Sequence, residues 1–213
     1  MNVVYFSPRT GSTYTAKKIA QQENLNYAGE IFFSGLFPEY NFVYKRYLNT
    51  LLTAMDQYKD CVVKISPTHI NNLCRRHNIS TRMFYKLLNP HADKNYFCVR
   101  DNIAEQIKSF YALLMLHRTK DKNQSLEQFA HLSWEDSVHV PHDNKVLALA
   151  KNSVKGDLEG MSAFYNQLPQ NKKELLIYED WADPNDKYKR DMTFDTEDFG
   201  VDYKLSDFFD MRR

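Results

Sequence analysis

Four short runs of strand-forming residues punctuate this chain, and none of them reads as a simple apolar–polar alternation. Val3-Val4-Tyr5-Phe6 ends at Ser7-Pro8, and Cys61-Val62-Val63-Lys64-Ile65 stops at Pro67. Asn95-Tyr96-Phe97-Cys98-Val99 and Glu174-Leu175-Leu176-Ile177-Tyr178 complete the set. Helical patterns fill the intervals. One runs from about Tyr14 to Gln22, and residues 41 to 58 place Phe42, Tyr44, Tyr47, Leu48, Leu51, Leu52 and Met55 at near-helical spacing. Ile103, Ile107, Phe110, Tyr111 and Leu114 mark one face of a helix that Asp101 can cap, and Ser125 with Gln128 fits a capping box before Phe129 and Leu132. Residues 143 to 168 read as one long helix weakened at Gly156 and Gly160. Buried-type strands alternating with helices imply an α/β fold, three layers α/β/α around a central, mostly parallel sheet. The 213 residues suit a single domain, 1–213, with the charged stretch 183–213 as a loosely packed tail.

The charge balance limits the partners. With 28 basic and 27 acidic residues the net charge is +1, so no whole-molecule field would draw in nucleic acid or an anionic membrane. Any anion site must be local. Cys61, Cys74 and Cys98 are odd in number and lack metal-ligand spacing, so no metal is expected, and Cys61 and Cys98, in apolar runs, read as reduced core residues. The N-terminus shows no basic stretch before an apolar core, and no apolar run approaches 18 residues. The expectation is a cytoplasmic protein with no membrane partner.

The segment after the first strand is the best candidate for that local site. Arg9-Thr10-Gly11-Ser12-Thr13 joins a strand to a helix, so free N–H groups and the positive end of the helix dipole converge there. Gly11 allows close backbone approach, the hydroxyls of Thr10, Ser12 and Thr13 add donors, and Arg9 brings a fixed charge. The expectation is a phosphate-binding loop. The string Gly-x-x-x-x-Gly-Lys-Ser/Thr is absent, which argues against ATP as the donor.

Ser7-Pro8-Arg9-Thr10-Gly11-Ser12-Thr13 resembles the 5′-phosphosulfate loop of sulfotransferases that use 3′-phosphoadenosine 5′-phosphosulfate (PAPS). It is closest to the bacterial carbohydrate type, including the trehalose sulfotransferases; the cytosolic steroid and phenol enzymes put a lysine where Arg9 stands. The resemblance implies that Arg9 contacts the bridging and sulfuryl oxygens and stabilises charge on the leaving phosphate. Phe97-Cys98-Val99-Arg100-Asp101 followed by Ser109-Phe110-Tyr111 resembles the family's 3′-phosphate motif, with Arg100 and Ser109 on the phosphate. Leu176-Ile177-Tyr178-Glu179-Asp180-Trp181 resembles the late strand whose tyrosine lies near the adenine, which assigns Tyr178. The three matches occur in the family's order over residues 3 to 184.

Transfer to a hydroxyl requires a base. Ala28-Gly29-Glu30-Ile31-Phe32-Phe33 resembles the trehalose-type stretch carrying the catalytic glutamate, so Glu30 is one candidate. Lys64-Ile65-Ser66-Pro67-Thr68-His69 loosely resembles the Lys-Thr-His segment of the cytosolic enzymes, so His69 is the other, and Glu30 is preferred. Lys64, at a strand end, is a candidate contact to the sulfuryl group or acceptor.

The implied product is adenosine 3′,5′-bisphosphate, no divalent metal enters the scheme, and the acceptor is a small molecule or carbohydrate. The family's Arg-Lys-Gly run over the 3′-phosphate has no equivalent here. The chain is also short for the family, which implies that part of the acceptor pocket is either abbreviated or supplied by a second subunit in a homodimer. The alternatives are a P-loop-type kinase of small molecules and a non-catalytic nucleotide-binding protein.

Overall fold

The computed structural model describes residues 1–30, 53, 55–76, 78–119, 138–181 and 192–211. Five strands form the central sheet: β1 (Asn2–Phe6), β2 (Asn26–Gly29), β3 (Cys61–Ile65), β4 (Lys94–Val99) and β6 (Lys173–Ile177), in the order β2-β3-β1-β4-β6. Every neighbouring pair is parallel. A small second sheet pairs β5 (Val138–Val140) with β7 (Met192–Phe194), also in parallel. Among the described residues the helices are α1 (Ser12–Gln22), α2 (Pro67–Arg76), α3 (Thr81–Leu88), α4 (Ile103–Thr119), α5 (Asn144–Tyr165) and the single turn α6 (Tyr178–Trp181).

The apolar runs are continuous because both faces of the sheet are covered. Val3, Tyr5, Val63, Ile65, Phe97 and Val99 point into the larger core, which also holds apolar side chains of α2, α3, α4 and α5. Their neighbours Val4, Val62, Tyr96, Cys98 and Leu176 point the other way, against Ala16, Ile19 and Ala20 of α1. That is the three-layer arrangement, with β1 at its centre and buried along its whole length.

Several boundaries differ from the sequence reading. The edge strand β2 was not anticipated, and α1 starts at Ser12, immediately after Gly11. Pro67 opens α2 as well as ending the strand region, consistent with proline's tolerance for the first helical position. Asn102, not Asp101, caps α4: its Oδ1 accepts from Glu105 N at 3.1 Å. α5 runs unbroken through Gly156 and Gly160. Tyr178 leaves β6 and begins α6. The C-terminal stretch is not a loose tail over its described part, since Phe199, Leu205 and Phe209 are buried in the larger core. The capping box at Ser125 and Gln128, most of the pattern from 41 to 58, and the start of the charged stretch lie outside the described residues. Among the described residues no helix is long and apolar enough to cross a membrane.

Candidate functional site

In a parallel sheet all strands deliver their carboxyl ends to one edge. Here the chain leaves β1 toward β2 and leaves β4 toward β6, so the connections diverge between two adjacent strands. In open α/β sheets such a divergence marks the usual crevice for ligands, outside the carboxyl ends of the two strands. The β1–α1 loop and Arg100 flank it. Glu30 follows β2, Lys64 is the penultimate residue of β3 with His69 in the next helix, and Tyr178 follows β6. Residues singled out from the sequence thus stand at the carboxyl ends of all five strands.

The β1–α1 loop is held in an unusual shape. Arg9 has φ 65° and Gly11 φ 74°, both left-handed. Gln106, fully buried on α4, fixes the entry: its Nε2 donates to Ser7 Oγ at 3.0 Å and to Pro8 O at 2.9 Å. Thr10 donates through Oγ1 to Ser7 O at 3.0 Å, and Cys98 Sγ lies 3.5 Å from Thr10 O. Thr10 is buried, so its hydroxyl shapes the loop instead of facing the crevice. Gly11 occupies the N-cap position of α1, where it has no side chain to cap the first turn. Ser12 is buried and Thr13 is exposed on that turn.

Lys64 has only 4% of its side chain exposed. Its ammonium lies 2.9 Å from Glu30 Oε1, donates to Thr13 Oγ1 at 2.8 Å, and sits 4.5 Å from the centre of the Phe6 ring. The other Glu30 oxygen, Oε2, is 3.7 Å from His69 Nδ1, and the His69 ring meets Phe6 edge-on at 6.3 Å. Burial pulls His69 below the ordinary imidazole value; the Glu30 carboxylate opposes that shift and the Lys64 ammonium reinforces it. The imidazole is therefore neutral at neutral pH and has a lone pair to accept a proton. Both candidate bases and the candidate lysine form one cluster.

On the other side of the loop Arg100 Nε lies 3.1 Å from Glu179 Oε1. Glu179 also accepts from Asp101 N at 3.0 Å and Asn102 N at 3.5 Å, so one carboxylate ties the β4–α4 turn to the start of α6. The Arg100 guanidinium is 5.4 Å from the centre of the Tyr178 ring, which in turn presses against Gly11. A Cβ at position 11 would lie 2.1 Å from Tyr178 Cε2, so both the contact and the positive φ demand glycine. Ser109 Oγ accepts from Arg9 Nε at 3.0 Å. Ser109 is thus paired with Arg9 and Arg100 with Glu179; the sequence reading had placed Arg100 and Ser109 together.

Comparison with family models, curated proteins and solved structures finds no match.

Three cationic side chains, Arg9, Lys64 and Arg100, and the uncapped end of an eleven-residue helix therefore flank one crevice. That combination has the chemistry to hold a polyanion. Glu30 and His69 supply proton acceptors beside it. Gln106 escaped the sequence reading although it falls on the apolar stripe of α4, three residues after Ile103 and one before Ile107. A polar residue on a buried stripe is the signal that marks it. Tyr27, whose phenol hydrogen-bonds Thr13 and whose titration is pushed up chiefly by burial, was missed because β2 was.

Proposed function

We propose that this protein is a sulfotransferase that moves a sulfuryl group from PAPS to a hydroxyl of a small-molecule or carbohydrate acceptor. The observation that carries the reading is the convergence of Arg9, Glu30, Lys64, His69, Arg100 and Tyr178 on the carboxyl ends of all five strands. These positions lie between residues 9 and 178; the resemblance points to all of them but Lys64, which stands out by its place at a strand end. The fit to a doubly anionic donor rests on charge and donors: a helix start with no side-chain cap, a buried lysine, and an arginine held in a left-handed conformation at the loop.

When bound, PAPS supplies a sulfur electrophile with a phosphate leaving group. The acceptor oxygen bonds to sulfur, the bond from sulfur to the 5′-phosphate oxygen breaks, and the electron pair stays on that oxygen. Arg9 and the first turn of α1 would hold the loop-side phosphosulfate, and Lys64 the charge that grows on its oxygens. Arg100 would meet the 3′-phosphate, exchanging Glu179 for it, and Tyr178 would lie along the base. Glu30, with His69 beside it, would take the acceptor proton.

Thermal unfolding with nucleotides tests this. Adenosine 3′,5′-bisphosphate at 100 times its dissociation constant should add about 2.7 kcal/mol of stability. ATP and adenosine 5′-phosphate should add much less, and PAPS should be consumed in the presence of a mixed glycan and phenol panel. Equal shifts from all three nucleotides would remove the 3′-phosphate assignment, a shift from ATP alone would favour a kinase, and bisphosphate binding without turnover would favour a non-catalytic binder.

A further inference from the structure

Asp157 lies in the middle of α5, and 99% of its surface is covered. A carboxylate on the apolar stripe formed by Val154, Leu158 and Met161 is costly to bury, so its partners say what it is for. Asp157 Oδ1 accepts from the backbone N–H of Thr68 at 2.9 Å and from the Thr68 hydroxyl at 2.6 Å. Thr68 is the second residue of α2, so the free N–H groups that a helix start must satisfy are met from a neighbouring helix. Gly160, one turn further along the same face of α5, lets Pro67 come so close that a Cβ there would lie 3.0 Å from Pro67 Cβ. α5 thus grips Pro67 and Thr68 together, and the next residue is His69.

We propose that Asp157 is a positioning residue whose two hydrogen bonds to Thr68 set the first turn of α2 so that the His69 ring lies against Glu30. The chain of contacts is short. Asp157 holds Thr68, the following residue carries the imidazole, and Nδ1 of that imidazole stands 3.7 Å from Glu30 Oε2. The Phe6 ring packs edge-on against His69, and the Lys64 ammonium also acts on it. Among the described residues Asp157 is the side chain that bonds Thr68 at the start of α2. The inference rests on the proposed function only for its consequence in turnover; the placement of His69 can be read without any substrate.

The test follows the titration of His69 by NMR, with its signal assigned by its disappearance in His69→Gln. In the wild type the midpoint lies below that of an ordinary histidine, because the ring is held in a buried position. In Asp157→Ala the first turn of α2 loosens, the ring gains water, and the midpoint rises by several tenths of a pH unit toward about 6.5. Loss of a nearby negative charge alone would move it the opposite way, so the direction separates positioning from direct electrostatics. Asp157→Asn keeps an oxygen that can accept from Thr68 and should hold the wild-type midpoint. Thr68→Val, which loses only the hydroxyl bond, should show a smaller rise and carries the test if Asp157→Ala does not fold. A folded Asp157→Ala with an unchanged or lowered midpoint, or an Asp157→Asn that moves as far as the alanine variant, overturns the proposal. In turnover, Asp157→Ala should lower kcat no further than His69→Asn does, with adenosine 3′,5′-bisphosphate binding unchanged; a larger loss overturns a role confined to His69. A chain that never consumes PAPS but in which the His69 midpoint rises supports the latch and fails the sulfotransferase reading.

Discussion

Burying an ammonium without partners costs far more than the whole net stability of a domain, and Lys64 has three partners: Glu30, Thr13 and the face of Phe6. The same carboxylate that answers Lys64 with one oxygen turns the other toward His69, so the two candidate bases share one small space. Removing either side chain therefore has two consequences that must be separated. Glu30→Gln leaves Lys64 short of its counter-charge, which should cost about 1–3 kcal/mol on denaturation, and removes the preferred base, which should slow turnover by about 10² to 10⁴. His69→Asn should leave Lys64 paired and retain most activity. The pH profile adds an independent reading. If His69 is the base, activity falls as the ring protonates, and that fall lies below 6.5 because burial lowers its titration; the same fall persisting in His69→Asn excludes the imidazole as its source. A dead His69→Asn beside an active Glu30→Gln would reassign the base while leaving the loop untouched.

The loop between β1 and α1 carries a different kind of cost. Arginine at φ 65° pays about 1–2 kcal/mol for the clash of its Cβ, and it is kept there by Gln106, Thr10 and the bond to Ser109. Arg9→Ala retains the Cβ and loses the Ser109 bond, whereas Arg9→Gly loses both. Arg9→Gly should therefore be more stable than Arg9→Ala by about 1 kcal/mol in chemical denaturation, with both equally slow in turnover. Equal stability would mean that the loop is not strained at Arg9. The same loop shows what a sequence discloses. β1, β3, β4 and most of β6 are legible because strands covered on both faces need continuous apolar runs. β2 is not, because Asn26-Tyr27-Ala28-Gly29 is a half-buried edge with two poor strand formers. Phe199, Leu205 and Phe209 are buried singly in a charged stretch, so no period betrays them. At the site, residue types at strand ends are legible, since a loop arginine or a strand-end lysine is chemically conspicuous. Pairings are not: Arg9 finds Ser109 and Gln106 finds Ser7 across about a hundred residues of chain, where spacing carries no information.

At the scale of the whole molecule, 28 basic and 27 acidic residues leave little net repulsion, so the pH dependence of folding should be governed by a few perturbed groups. Two oppose each other. His69 titrates low in the fold, so stability present above pH 6.5 is lost as the pH falls and the native state resists the proton. Asp157 is pushed up to about 6 by burial, against the lowering pull of its two bonds from Thr68. Its fold-bound proton is held more tightly than in the unfolded chain, so it favours the native state below about pH 4, and that contribution is lost as the pH rises through 6. Above pH 6 the buried carboxylate is charged with Oδ2 unpartnered, and the fold carries the cost. Asp157→Asn keeps the acceptor for Thr68 and cannot ionise. The stability difference between Asp157→Asn and the wild type should thus move in favour of the variant between pH 4 and pH 7.5. The change is bounded at about 3 kcal/mol by the shift from 3.8 to about 6. Urea denaturation at half-unit pH steps measures that difference with the His69 contribution common to both proteins. A difference that stays constant across the window would mean that Asp157 titrates as an ordinary carboxyl, and that α5 reaches α2 through a wetter contact than the hydrogen bonds to Thr68 describe.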